Sequence, residues 1–123
     1  MEIFRIRAVP QDDNCVLVLS GEADVAVAPD LLELGTLGLD EPSTRRLTID
    51  LEALTFIDST AIGALVHLHN QADDAGKQLW LRNVPPRVKR VVSMAGLLGL
   101  FSIEGDQFDP EIGESPFRAS ATA

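Results

Sequence analysis

The sequence predicts an α/β fold: one domain around a central sheet of about five strands, mixed but mainly parallel, with helical crossovers. Three observations carry that expectation. Segments with apolar residues at every second position take turns with segments where they recur every three or four. The resulting order is strand, strand, helix, strand, helix, strand, helix, strand. Only the first link, Pro10 to Asn14, is short and rich enough in turn formers for an antiparallel hairpin, so the later strands are joined by crossovers. Finally, 123 residues with 46% hydrophobic and 24% charged make one core rather than two.

Residues 2–9 are the first expected strand, with Phe4, Ile6 and Ala8 on one face and Arg5 and Arg7 on the other. A charged outer face suits a border strand, where it discourages pairing with another chain. After the turn, Cys15 to Leu19 is almost continuously apolar, the mark of a strand covered on both faces. Ser20-Gly21-Glu22-Ala23-Asp24 is expected to leave the sheet as a loop. Pro29 fits the first turn of a helix carrying Leu31, Leu32, Leu34 and Leu37, which Gly35 should leave short or loosely defined. Asp40 to Thr44 ends that helix.

In the third strand Leu47, Ile49 and Leu51 alternate with Thr48 and Asp50; a turn through Glu52 to Thr55 is expected next. Phe56-Ile57 then leads to Asp58-Ser59-Thr60 and a second helix from Ser59 to Ala75. Ala61, Leu65, Leu68, Ala72 and Ala75 share a face of it, and Gly76 stops it. Gln78 to Arg82, with the sole tryptophan Trp80, is a further strand. Pro85-Pro86 opens a third helix buried through Val88, Val91, Val92 and Ala95, with Arg87, Lys89 and Arg90 off that face and Gly96 as its stop. Leu97 to Ile103 ends in the last strand. The domain is placed at 1–106. Residues 107–123, rich in Gly, Pro, Ser and Ala, are expected to form a flexible C-terminal tail.

Charge and motifs exclude several functions. Ten Lys and Arg against 19 Asp and Glu give a formal charge of −9, which opposes direct binding to nucleic acid or to an anionic membrane. No apolar run approaches the ~20 residues of a membrane span. Met-Glu-Ile-Phe-Arg is not a secretory leader, so a cytoplasmic location is expected. Cys15, the only cysteine, allows no internal disulfide and reads as a small core residue. Lys77, Arg82, Arg87, Lys89 and Arg90 fall in a stretch without acids, Ala75 to Ile103, either a solvated face or a partner patch. His67 and His69, two apart on a helix, point to different sides, and His69 with Asp73 offers only two ligands, so no metal site is expected. Ile57-Asp58-Ser59-Thr60-Ala61 lacks the glycines of a nucleophile elbow, and no glycine-rich phosphate loop with its lysine is present. Catalysis is therefore not expected, and no cofactor.

Asp58-Ser59-Thr60 admits two readings. Asp, Ser and Thr are ordinary helix N-caps. A serine hydroxyl there is also a phosphate acceptor: the modification adds about −1.5 to −2 charges, which the positive helix end tolerates and a docked partner would not. Asp24 and Ser59 both follow strands, at the carboxyl edge where functional groups of such sheets collect.

Three blocks carry a resemblance to a known family: Gly21-Glu22-Ala23-Asp24, Leu51 through Gly63, and Val88-Lys89-Arg90 with Met94-Ala95-Gly96-Leu97. Over about residues 2–105 the chain resembles a STAS domain, specifically the bacterial anti-sigma factor antagonists. The resemblance implies the STAS fold and a partner-switching function controlling sigma-factor-dependent transcription. A member binds an anti-sigma factor that is also a serine kinase, loses it on phosphorylation, and is reset by a phosphatase; ATP belongs to the kinase. Carried over to this chain, Ser59 is the phosphorylated serine and Thr60 the poorer acceptor. Asp24 matches the family's loop aspartate, and Asp24, Asp58, Ser59, Thr60 and Ile62 form the partner-binding edge. The family usually has glycine where this chain has Ala61, whose Cβ is expected to narrow a kinase's approach. The alternative implied by the resemblance is an accessory subunit of a membrane anion or lipid transport complex.

Overall fold

The computed structural model describes residues 3–104; the expected tail at 107–123 lies outside the described residues. The elements are β1 (Arg5–Gln11), β2 (Asn14–Ala23), α1 (Ala28–Asp40), β3 (Arg46–Ile57), α2 (Ser59–Asp74), β4 (Gln78–Arg82), α3 (Pro86–Met94), a short 3-10 turn (Leu98–Leu100) and β5 (Ser102–Glu104). One sheet holds the strands in the order β1-β2-β3-β4-β5, with β1 antiparallel to β2 and all other pairs parallel. The predicted fold class is observed.

The hairpin is tighter than expected. β1 runs through Pro10 to Gln11, which faces Asn14, so only Asp12 and Asp13 turn the chain. Asp12 takes φ 58°, a left-handed conformation that a short polar side chain tolerates. Proline is accommodated because β1 is the border strand among the described strands, with no described ladder on its outer edge to complete.

The three parallel crossovers each advance one place in the same direction. Right-handed crossovers of that kind place α1, α2 and α3 on one face of the sheet. The core agrees: Leu17, Ile49 and Leu81 form a row across β2, β3 and β4, and they cluster with Leu31 and Leu39 of α1, Leu65 and Leu68 of α2, and Val88 and Val92 of α3. Each of these side chains contributes roughly 1.5–3 kcal/mol by leaving water.

Two loops expected from the sequence are strand instead. Ser20 to Ala23 continues β2, and Glu52 to Thr55 continues β3. The two extensions pair with each other, Gly21 opposite Leu54 and Ala23 opposite Ile57, with register shifts between Val18 and Ser20 and between Gly21 and Glu22. Such bulges break the two-residue period, which is why Glu52-Ala53 mimics a turn in sequence. Asp50 Oδ1 accepts the Glu52 N–H at 3.1 Å, and the Thr55 hydroxyl donates to the Gly21 carbonyl at 3.1 Å. Gly21 has φ 89°, and a Cβ there would collide with the Ile3 carbonyl.

α1 is neither short nor loose. It spans 13 residues, and Gly35 is the point where α2 comes close: a Cβ would stand 2.5 Å from Leu68 Cδ1. α2 ends as expected, with Gly76 at φ 71° and the hydrogen bonds Gly76 N–H to Asp73 O and Lys77 N–H to Ala72 O of a Schellman closure. Ala75 and Ala95, expected on buried helix faces, are exposed because each is a C-cap beyond the last helical residue.

Three of the five basic residues in the acid-free stretch act as internal clamps. Lys77 Nζ donates to the Leu39 and Glu41 carbonyls at the end of α1, where a cation also meets the negative pole of the helix. Arg82 pairs with Asp50 at 3.2 Å, and Arg87 donates to the Thr55 carbonyl at 3.1 Å. Cys15 is half-buried against the core, and burial pushes its thiol pKa up, in keeping with a packing role.

Gly35→Ala should lower stability by about 1–3 kcal/mol, because Leu68 is fully buried and has nowhere to withdraw. Gly63→Ala, with open space where its Cβ would go, should instead raise it by about 0.5–1 kcal/mol. Urea unfolding of both variants beside the parent chain tests the contrast.

Candidate functional site

The carboxyl ends of β2 and β3 lie side by side, and the Asp58 N–H donates to the Ala23 carbonyl at 3.1 Å. That bond brings the Asp24 loop and the start of α2 to one edge of the molecule. Asp24 is half-buried; its Oδ1 accepts the Ala26 N–H at 3.0 Å, while its carbonyl accepts Val27 and Ala28 N–H at 3.1 and 3.2 Å. The residue therefore shapes the turn into α1 and still presents carboxylate to solvent.

Asp58 is the N-cap of α2. Its backbone is extended, its Oδ1 accepts the Ala61 N–H at 3.0 Å, and its carbonyl accepts the Ile62 N–H at 3.0 Å. Ser59 and Thr60 follow as the first two helical residues, both exposed. Among the described residues neither hydroxyl has a hydrogen-bond partner. The capping role belongs to the aspartate, so the serine hydroxyl is spare. Around it lie the positive pole of a 16-residue helix and the first-turn N–H groups of Ser59 and Thr60, which have no intrahelical acceptor.

Two expectations change here. Ile62, assigned to the partner-binding edge, is 2% exposed; it faces the core and supports the helix from below instead of offering a contact. The Ala61 methyl, expected to narrow a kinase's approach, points inward and is 0% exposed, so it takes no space outside Ser59.

The structure adds two residues that pattern reading overlooked. Phe56, opposite Glu22, is 45% exposed, and Val25, next to Asp24, is 64% exposed. The signal was present in Phe56-Ile57: neighbours on a strand point to opposite faces, and Ile57 is the buried one. Carboxylates, hydroxyls and two large apolar side chains thus share this edge. Arg87, bonded to Thr55, ties the start of α3 to it.

Other features lie elsewhere. An open depression of about 390 Å³ at the opposite end of the sheet is lined by Asp13, Asn14, Arg45, Arg46, Gly76 and Gln78, none of them an expected site residue. His67 is exposed, whereas His69 packs edge-on against Phe101 with ring centroids 6.1 Å apart. Among the described residues no group of three or more His, Cys, Asp or Glu is arranged to hold a metal ion.

Comparison with known proteins gives consistent matches. The family model described as Mlab, STAS domain, matches residues 6–102. An anti-sigma-B factor antagonist of Staphylococcus aureus is 29% identical over 107 residues, 86% of this chain and 98% of the relative. The structure of an anti-sigma factor antagonist from Mycobacterium paratuberculosis superposes with a TM-score of 0.74 at 22% identity, over 84% of this chain and 86% of that one. The phosphorylated form of the Bacillus cell fate determinant SpoIIAA superposes with a TM-score of 0.64 at 17% identity, over 85% of this chain and 93% of that one.

The division of labour between Asp58 and Ser59 is testable by stability alone. Asp58→Ala removes the cap and should cost about 1 kcal/mol. Ser59→Ala removes no recorded bond and should stay within about 0.5 kcal/mol of the parent. Denaturant melts showing the reverse ranking would make Ser59 the cap.

Proposed function

The chain belongs to the STAS domain family, and from that premise we propose that it is an anti-sigma factor antagonist that switches partners through Ser59. With Ser59 unmodified, the edge formed by the Asp24 loop, Asp58 and the start of α2 binds an anti-sigma factor that is also a serine kinase, freeing the sigma factor. The kinase transfers the γ-phosphoryl group of its ATP to Ser59 Oγ; the hydroxyl proton is taken up by the kinase and ADP remains. A phosphatase hydrolyses the ester and resets the cycle. The name and near-complete coverage of the Staphylococcus aureus relative support this reading.

The observation that carries it is the spare hydroxyl. Because Asp58 already caps α2, a phosphate on Ser59 displaces no structural bond. At the helix start its charge is stabilised by about 0.3–1 kcal/mol, so the domain stays folded while its surface changes. A partner seated over the same spot has to desolvate a dianion next to the Asp24 and Asp58 carboxylates. Thr60, exposed on the next position, is the poorer acceptor. The proposed activity is one carried out in the cytoplasm. No described helix is long and apolar enough to cross a membrane.

Titration against a candidate anti-sigma kinase, with and without ATP, tests the proposal. Ser59→Ala should bind like the parent and resist release by ATP. Ser59→Glu should bind about a hundredfold more weakly, a loss of ~3 kcal/mol from charge mismatch. Mass spectrometry after incubation with kinase and ATP should find the phosphate on Ser59. Equal affinities for all three proteins, unmoved by ATP, would overturn the switch. Recovery of a transporter ATPase instead of a kinase in a pulldown would favour the transport-subunit alternative.

A further inference from the structure

Among the described residues six large apolar side chains are exposed: Ile3, Val25, Leu37, Phe56, Met94 and Leu100. Three of them gather around one stretch, Gly21 to Ala23 at the end of β2. Ile3, just before β1, lies so near that a Cβ on Gly21 would stand 2.4 Å from its carbonyl oxygen. Phe56 is the strand partner of Glu22. Val25 comes two residues after Ala23, hence within ~7.6 Å of it between Cα atoms. Leu37, Met94 and Leu100 are scattered over α1, the end of α3 and the 3-10 turn. Single exposed apolar residues are ordinary on a protein surface, whereas a cluster rimmed by polar groups marks a contact.

The cluster also straddles the candidate site. Ile57 is buried toward the helices, so Phe56, its neighbour on the strand, points to the face without helices. Ser59 opens the helix that packs on the other face. The end of β3 thus carries an aromatic ring on one flank and the spare hydroxyl on the other. Asp58, whose N–H bonds to Ala23 O, joins the two flanks.

We infer that Ile3, Val25 and Phe56 form an apolar anchor for the anti-sigma factor, seated in a matching apolar surface of that partner; the inference rests on the switch reading of Ser59. Aromatic side chains with large exposed area are the ones that contact cores favour. The charges of the edge select a different protein over a second copy. Glu22, Asp24, Glu52 and Asp58 stand here against Arg5 and Arg87, and Arg87 is held by the Thr55 carbonyl. Two copies meeting through this edge would bring surplus negative charge together in a chain already at −9. Because ring and hydroxyl lie on opposite flanks, the partner reaches across the strand end. The anchor supplies affinity before and after modification alike, and the phosphate acts on the other flank alone.

Phe56→Ser, Phe56→Leu and Val25→Ser are titrated against the same candidate kinase, beside the parent, Ser59→Glu and a double variant, Phe56→Ser with Ser59→Glu. Phe56→Ser should bind roughly tenfold more weakly, Val25→Ser less so, and Phe56→Leu close to the parent. In the double variant the two losses should multiply, as independent contacts do. Phosphorylation of Phe56→Ser should show a raised KM with kcat unchanged, the mark of a contact made equally throughout the reaction. Urea melts check that each variant stays folded. Should Phe56→Ser unfold, Val25→Ser decides, since Val25 is 64% exposed and its loss leaves the core intact. Both serine variants binding like the parent, with Ser59→Glu weakened, would overturn the anchor and leave the switch standing. Weak binding by the serine variants with Ser59→Glu unaffected would keep the anchor and sink the switch. A parent that binds no anti-sigma factor would sink both. A sedimenting dimer that Phe56→Ser dissolves would also overturn the inference, by assigning the cluster to a second copy.

Discussion

The parallel pairing of β2 with β3, carried past two bulges to the hydrogen bond between Asp58 N–H and Ala23 O, is the constraint on which this molecule depends. Everything at the candidate site hangs from it. It sets the Asp24 loop beside the start of α2, and it extends β3 to 12 residues so that α2 starts directly from the sheet. The bulges also turn Phe56 outward while keeping Leu54 and Ile57 in the core. A one-residue slip in this register would move every side chain beyond it to the other face.

Helix capping, solvent exposure and core packing are divided among five consecutive residues. Asp58 holds the helix, Ser59 and Thr60 face solvent, and Ala61 and Ile62 face the core. A side chain that changes charge state through modification is best placed where it makes no structural bond, because a bond made in only one state would couple folding to signalling. Packing between α1 and α2 is tight, as their close approach at Gly35 shows. The surface above can therefore change without the scaffold moving.

The same separation runs through the charges. Arg82, Arg87 and Lys77, which look in sequence like a basic patch, are spent on Asp50 and on backbone carbonyls. Arg46 stacks over Trp80 at 4.5 Å from the ring centroid and so shields the flank of the sheet. The acidic surplus, by contrast, is left on the surface, and at the candidate site it is represented by Asp24 and Asp58.

Much was legible in the sequence because it is local. Alternation in Leu47-Thr48-Ile49-Asp50-Leu51, the three- and four-residue steps of α2, the glycine stops at Gly76 and Gly96, and the single hairpin link determined the α/β class and strand order. The Asp58-Ser59-Thr60 junction and its motif pointed to the site. What only the tertiary structure decided depends on contacts between distant segments. The extensions of β2 and β3 exist because each completes the other's ladder across a bulge, and no period within either strand reveals that. Gly35 is a contact with Leu68 on another helix, not a weakness in its own. Which of three capping residues does the capping, and that Ile62 and Ala61 turn inward while Phe56 turns outward, follows from the angle at which β3 hands the chain to α2. That angle is set by packing against α1 and β2, and packing is a property of the assembled core.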